Sequence, residues 1–174
     1  MSVIETERLV LREYDSDDAQ VLFEILSDAD TMSFWPEPYD LAGTRAWIER
    51  SMKSYAANGF GRWAVISREE DAIVGDCGIM RQGIDGVLEY DLGYIIHCKY
   101  WRRGFALEAA RACLAFGLKE KGLERICANM PFDHIASMRI AERIGMTREK
   151  EFINKGNRDI LTYLYAAHRE KPAG

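Results

Sequence analysis

The chain has 174 residues, 48% of them hydrophobic and 29% charged, with 23 basic against 28 acidic side chains and a net charge of −5. This is globular composition with enough length for a sizeable core, which excludes a disordered tail, a collagen-like fibre and a disulfide-stapled miniprotein. The acidic balance argues against nucleic acid as a partner, and the longest apolar-rich stretch, residues 105–118, carries Glu108 and Arg111 and is too short for a membrane span.

Residues 8–14 open the fold as a strand, with Leu9 and Leu11 alternating against Val10 and Arg12. The acidic run 15–18 then starts a helix whose stripe is Val21, Leu22, Ile25 and Leu26. Residues 34–39, Phe-Trp-Pro-Glu-Pro-Tyr, are irregular because Pro36 and Pro38 remove amide donors. A second helix is expected over 41–57, with Trp47, Ile48, Met52 and Tyr55 inward. Past Gly59 the period shifts towards two. Strands at 63–66, 73–80 and 87–96, separated by turns at Asp71 and at 83–86, make an antiparallel meander. A helix over 104–121, a strand at 125–129, a helix over 133–144 stopped by Gly145, and strands at 148–153 and 159–168 close the chain. Neither repeats nor linkers interrupt this order, and Pro131 and Pro172 only punctuate it, so one domain spanning 1–174 is expected. A meander followed by a β-α-β crossover predicts an α+β fold with a mixed sheet.

The cysteines, Cys77, Cys98, Cys113 and Cys127, form no CxxC pair, and His97, His134 and His168 lack chelating spacing. Reduced thiols and no metal are therefore expected. Residues 1–8 have neither the basic start nor the long apolar run of a signal peptide, which predicts a cytoplasmic protein.

The informative stretch is 90–110. A strand runs into a short basic loop that opens directly into a helix, so Arg102, Arg103, Gly104, Phe105 and Ala106 offer consecutive amides at the positive end of a helix dipole. That arrangement suits a phosphate or pyrophosphate. It is neither a P-loop nor a GxGxxG turn, which leaves NTPase and hydride-transfer readings weak.

Arg-Arg-Gly-Phe-Ala at 102–106, after Leu-Gly-Tyr-Ile-Ile and before Leu-Glu-Ala-Ala, resembles the acetyl-CoA signature of the GNAT N-acetyltransferase superfamily. Within it the chain is most similar to the RimJ/RimL-like branch of ribosomal-protein N-terminal acetyltransferases. The opening Glu-Thr-Glu-Arg-Leu-Val-Leu-Arg at 5–12 and the block 134–146 resemble that branch as well. Trp101 replaces the usual first residue of the phosphate motif, as is common in the branch, and His134 stands where the family usually has Asn.

The resemblance implies a mixed, mostly antiparallel sheet of about seven strands flanked by about four helices, with a splay between the fourth and fifth strands. It implies acetyl-CoA as co-substrate, held by Ile95, Ile96 and His97 along the pantetheine arm, by Arg102, Arg103, Gly104, Phe105, Ala106 and Leu107 at the pyrophosphate, and by His134 and Ser137. Lys99, Arg102 and Arg139 are the choices for the 3′-phosphate. An amine attacks the thioester directly, with a backbone amide near Ile95 for the oxyanion and Ser137 to protonate the thiolate. Glu89 and Asp91 share a strand face with Ile95 and are the choices for the base. The acceptor pocket falls to Phe34, Trp35 and Tyr39, with Glu37 able to attract a cationic amine. The acceptor is a protein N-terminus or a small-molecule amine, and the chain a monomer or homodimer. A GNAT-fold acyl-CoA-binding or sensor module without turnover is the alternative.

Overall fold

The computed structural model describes residues 2–170, so Pro172 falls outside the described residues. Strands β1 (Ser2–Glu5) and β2 (Leu9–Arg12) pair antiparallel. Helices α1 (Ala19–Leu26) and α2 (Leu41–Asn58) follow, then the meander β3 (Arg62–Ser67), β4 (Ala72–Ile84) and β5 (Val87–Ile96). Helix α3 (Phe105–Ala115) runs on through a π-helical turn at Phe116–Glu120. The chain ends with β6 (Arg125–Pro131), α4 (Ile135–Arg143), β7 (Thr147–Asn154) and β8 (Ile160–His168). The sheet order is β1-β2-β3-β4-β5-β6-β8-β7, and β5–β6 is its parallel pair. Eight strands therefore stand where about seven are expected. The addition is β1, a four-residue edge strand whose adjacent Val3 and Ile4 show no alternation.

Local chemistry accounts for the boundaries. Asp15 starts the first helical segment through a reciprocal capping box with Asp18. Asp40 caps α2 by accepting from the Gly43 amide. The β4–β5 hairpin turns on Asp85 and Gly86, both left-handed, as a two-residue turn with the twist of its strands requires.

The sheet carries a core on each face. Leu9, Leu11, Trp63, Val65, Ile79 and Leu92 pack against α3 and its π turn, while Ala64 and Ile95 face Leu22, Ile25, Leu26, Trp47 and Ile48 of the two early helices. Two expected core positions are outward: Val21 is 42% and Met52 44% exposed. The buried stripe of α2 runs Thr44, Trp47, Ile48, Ser51 and Ser54, and position 52 lies off that line.

The feature that positions the site is the seam between β5 and β6. They pair in register at Asp91 and Cys127, and beyond that point their C-terminal ends diverge. β5 stays paired with β4 as far as Ile96, and β6 with β8 as far as Pro131, so the gap lies inside an otherwise continuous sheet.

Candidate active site

One cavity, about 580 Å³, lies on the α3–α4 side of the gap. Its floor is the β5 edge at Tyr94, Ile95 and Ile96, and its far end is the loop leading into α3, with Arg102, Gly104, Phe105, Ala106 and Leu107 in the wall. Arg102 and Gly104 are both left-handed, at φ +65° and +80°. The first bond of the α3 end is Glu108 N–H to the Gly104 carbonyl, so the amides of Phe105, Ala106 and Leu107 have no intrahelical acceptor. Arg139 and Arg143, one turn apart on α4, line the same cavity. A groove with a strand edge at one end and an amide-rich, arginine-flanked helix start at the other can hold a long ligand that ends in phosphates.

The loop is braced from the amino-terminal hairpin. Arg8 donates to the Arg103 carbonyl (2.7 Å) and to Glu108 (2.7 Å), and Thr6 donates to Glu108 (2.6 Å). Burial alone would raise the Glu108 carboxyl, but these hydrogen bonds hold it below its ordinary value. Trp101 adds a second brace, its indole donating to the Ile96 carbonyl at 2.8 Å. Arg8→Ala should therefore loosen the loop and weaken binding of the acetyl-CoA that the resemblance implies about threefold to tenfold, a modest loss because the side chain is partly exposed. Titration calorimetry checks it, and an unchanged affinity would remove the brace from the account.

The second cavity, about 380 Å³, opens on the α1–α2 side. Phe34, Trp35 and Tyr39 line it, together with Trp47, Arg50, Arg62, Gln82, Asp91 and Asn129. Under it lies a buried polar network: Asp76, with no exposed surface, accepts from Tyr14 Oη (2.7 Å), Trp47 Nε1 (3.0 Å) and the Arg62 guanidinium. Gly93 makes room for this arginine, since a Cβ there would overlap Arg62 Nη1.

Asp91 stands at the seam. It is 8% exposed and accepts from Gln82 (2.6 Å) and Asn129 (3.0 Å). Burial lifts its pKa to about 6 against the opposing pull of Asn129, Arg62 and Gln82. A carboxylate so placed can take a proton near neutral pH. Glu89, on the same face, is instead ion-paired to Arg125 at 3.1 Å and lines neither cavity.

The two cavities share Phe34, Trp35, Tyr94, His134 and Ser137. Tyr94 Oη lies 2.9 Å from Ser137 Oγ and donates to the Ser137 carbonyl at 3.0 Å. Burial pushes the Tyr94 hydroxyl well up, so it stays protonated. His134 stacks on Phe34, with ring centroids 3.7 Å apart, and burial lowers it to about 4, which keeps it neutral. Asp91 and Tyr94 sit on opposite faces of β5, yet both open onto the smaller cavity because the splay removes the sheet between them. A nucleophile from one side and an electrophile from the other can meet there.

The structure thus gathers Ile95, Ile96, Arg102, Gly104, Phe105, Ala106, Leu107, His134 and Ser137 around one groove and Asp91 beside it. It keeps three expected ligands out of the lining: His97, Arg103 and Lys99, whose ammonium lies over the Tyr100 ring. His97 accepts from the Lys99 amide, and Arg103 spends its guanidinium on Glu69 and Glu70 at 2.6 and 2.7 Å. Glu37 does not line the smaller cavity either. Tyr94, Asn129, Arg62 and the Arg8–Glu108 brace lie outside the expected set of site residues. Only the brace had a visible signal, the opening Thr-Glu-Arg.

Comparison with known proteins fits this geometry. Residues 8–147 match the family model described as an acetyltransferase (GNAT) domain. An uncharacterised N-acetyltransferase, YnaD of Bacillus subtilis, is 34% identical over 172 residues, covering 97% of this chain and 98% of its own. The crystal structure of a GNAT-family acetyltransferase from Bacillus anthracis superposes with a TM-score of 0.82 at 30% identity, covering 97% and 99% of the two chains. RimL, a ribosomal-protein acetyltransferase solved in complex with coenzyme A, shares the fold at a TM-score of 0.76 and 14% identity, with 94% and 95% covered.

Proposed function

The chain belongs to the GNAT acetyltransferase family, and from that premise we propose that it transfers the acetyl group of acetyl-CoA to a primary amine by direct attack within a ternary complex. The observation that carries this reading is the meeting of two cavities at Tyr94 and Ser137, with Asp91 at the rim of one and the phosphate-type loop at the end of the other.

The amides of Phe105, Ala106 and Leu107 take the pyrophosphate, and Arg102, Arg139 and Arg143 are the cations for the remaining phosphate. Pantetheine amides bond the β5 edge where β6 has left it, which satisfies strand groups that would otherwise lack partners. The amine enters from the Trp35–Tyr39 side. Its nitrogen attacks the thioester carbon, its proton passes to Asp91, the carbonyl oxygen becomes an oxyanion at a backbone amide near Ile95, and the C–S bond breaks. The leaving thiolate takes a proton from the Ser137–Tyr94 hydroxyl pair. Asp91 is the base in preference to Glu89, whose carboxylate is committed to Arg125.

The RimJ/RimL-like branch is the finer assignment. It is supported by the opening and 134–146 blocks and by likeness of fold to RimL, and it makes a protein N-terminus or a small amine the acceptor. The test is release of CoA thiol from acetyl-CoA in the presence of N-terminal peptides and small amines. Amine-dependent release is expected. Its absence with every acceptor, at enzyme concentrations that bind acetyl-CoA, would overturn transfer.

A further inference from the structure

The acceptor cavity has an unexpected balance of charge. Its wall contains two guanidiniums, Arg50 and Arg62, and a single carboxylate, Asp91. Asp91 already accepts from Gln82 and Asn129, and in the transfer reading it receives the amine proton. No other carboxylate in the wall can serve a second cation. A polycationic acceptor would find nothing there to pair with.

The two arginines differ in what they have left to offer. Arg62 is 7% exposed and turns Nε and Nη2 to Asp76, so its charge is answered from below. Arg50 is exposed on α2. Its helical neighbours at three and four positions are Ala46, Trp47, Lys53 and Ser54, none of them acidic, and it forms no ion pair among the described residues. Its contact is with the Trp47 ring, 5.1 Å from guanidinium carbon to centroid, while Arg62 lies 5.3 Å from the same centroid. Trp47 is itself fixed, through the indole bond to Asp76. A planar guanidinium held on an anchored aromatic ring, in a cavity wall and without a counter-ion, is preorganised to receive a planar or tetrahedral anion through two parallel hydrogen bonds.

We propose that the acceptor is an amine bearing an anionic group, a carboxylate or a phosphate, and that Arg50 is the residue that recognises it. This rests on the acyl-transfer reading of the cavity. The amine faces Asp91 and its anionic group is turned towards Arg50.

Matched pairs test this, each anionic amine against its neutral twin: phenylalanine and phenylalaninamide, β-alanine and β-alaninamide, phosphoethanolamine and ethanolamine. With thiol release as readout, the anionic member of at least one pair should be preferred by about tenfold or more in kcat/KM, and the pair that wins distinguishes carboxylate from phosphate. Arg50→Ala should collapse that ratio through KM, and Arg50→Lys should restore part of it, since charge returns without the bidentate fork. Acetyl-CoA thermal stabilisation should be the same in both variants. Preference for the neutral members, or a ratio that survives Arg50→Ala, overturns the proposal. Should no amine release thiol, the transfer reading fails separately. The same pairs titrated calorimetrically into CoA-loaded protein then decide the subsite, and equal or absent binding of both members overturns it.

Discussion

Gly104→Asp should abolish the stabilisation that acetyl-CoA gives the wild-type protein. A ligand that binds only the native state at a hundredfold excess over its Kd adds about 2.7 kcal/mol, which for a domain of this size raises Tm by about 5–10 °C. Residue 104 is left-handed at φ +80° and directly precedes the three amides that lack helical acceptors. Aspartate tolerates that backbone conformation better than most residues, so the ligand-free variant should fold with only a modest fall in Tm. A Cβ at this position comes within 3.3 Å of Arg8 Nη2, and the added carboxylate would compete with Glu108 for that guanidinium. Negative charge is then set where the pyrophosphate must approach, and the brace is drawn off the loop. Differential scanning fluorimetry with and without acetyl-CoA reads the result. A variant that keeps the full shift would place the cofactor elsewhere. Gly104→Ala separates the causes: backbone strain acts in both variants, charge only in the first.

How much of this was legible in the sequence follows from which interactions are local. The phosphate-type loop is contiguous, and Arg102 to Ala106 could be read directly as a strand-to-helix turn offering its amides, with Leu107 added by the resemblance. Periodicity was equally sufficient for the meander and for α3 and α4. It failed at Val21 and Met52 because a stripe on a helix is defined only by what packs against it, and the buried line of α2 runs through Thr44, Ser51 and Ser54 rather than through Met52. Tyr94 was invisible for a different reason. Alternation along β5 places it on the face opposite Asp91, which separates the two in an intact sheet, but the β5–β6 splay lets both faces reach one cavity. Glu89 and Asp91 were indistinguishable in sequence, two carboxylates two residues apart. What separates them is Arg125 on one side and burial beside Gln82 and Asn129 on the other, contacts across 9 to 38 positions.

Asp91→Asn carries the largest expected effect on turnover. A positioned general base is worth about a hundredfold to ten-thousandfold, so kcat should fall by at least about a hundredfold while acetyl-CoA binding persists. The replacement is nearly isosteric, and its carbonyl oxygen can still accept from Gln82 or Asn129, so loss of fold is not the expected cause. The pH profile distinguishes the base from a merely structural carboxylate. Burial sets the folded pKa of Asp91 at about 6, and the group must be ionised to accept a proton, so activity is lost as pH falls through that value. The attacking amine must also be neutral. For the wild type, log kcat/KM should therefore rise with a slope near two below about pH 6 and near one above it, up to the amine's own pKa. Asp91→Asn should remove only the steeper limb, and an unchanged profile would return the base to a water or to another group. Tyr94→Phe and Ser137→Ala act on the leaving group instead. A thiolate departs readily, so each should cost only about tenfold. The two hydroxyls are 2.9 Å apart and act as one donor, so the double variant should lose far less than the product of the single losses.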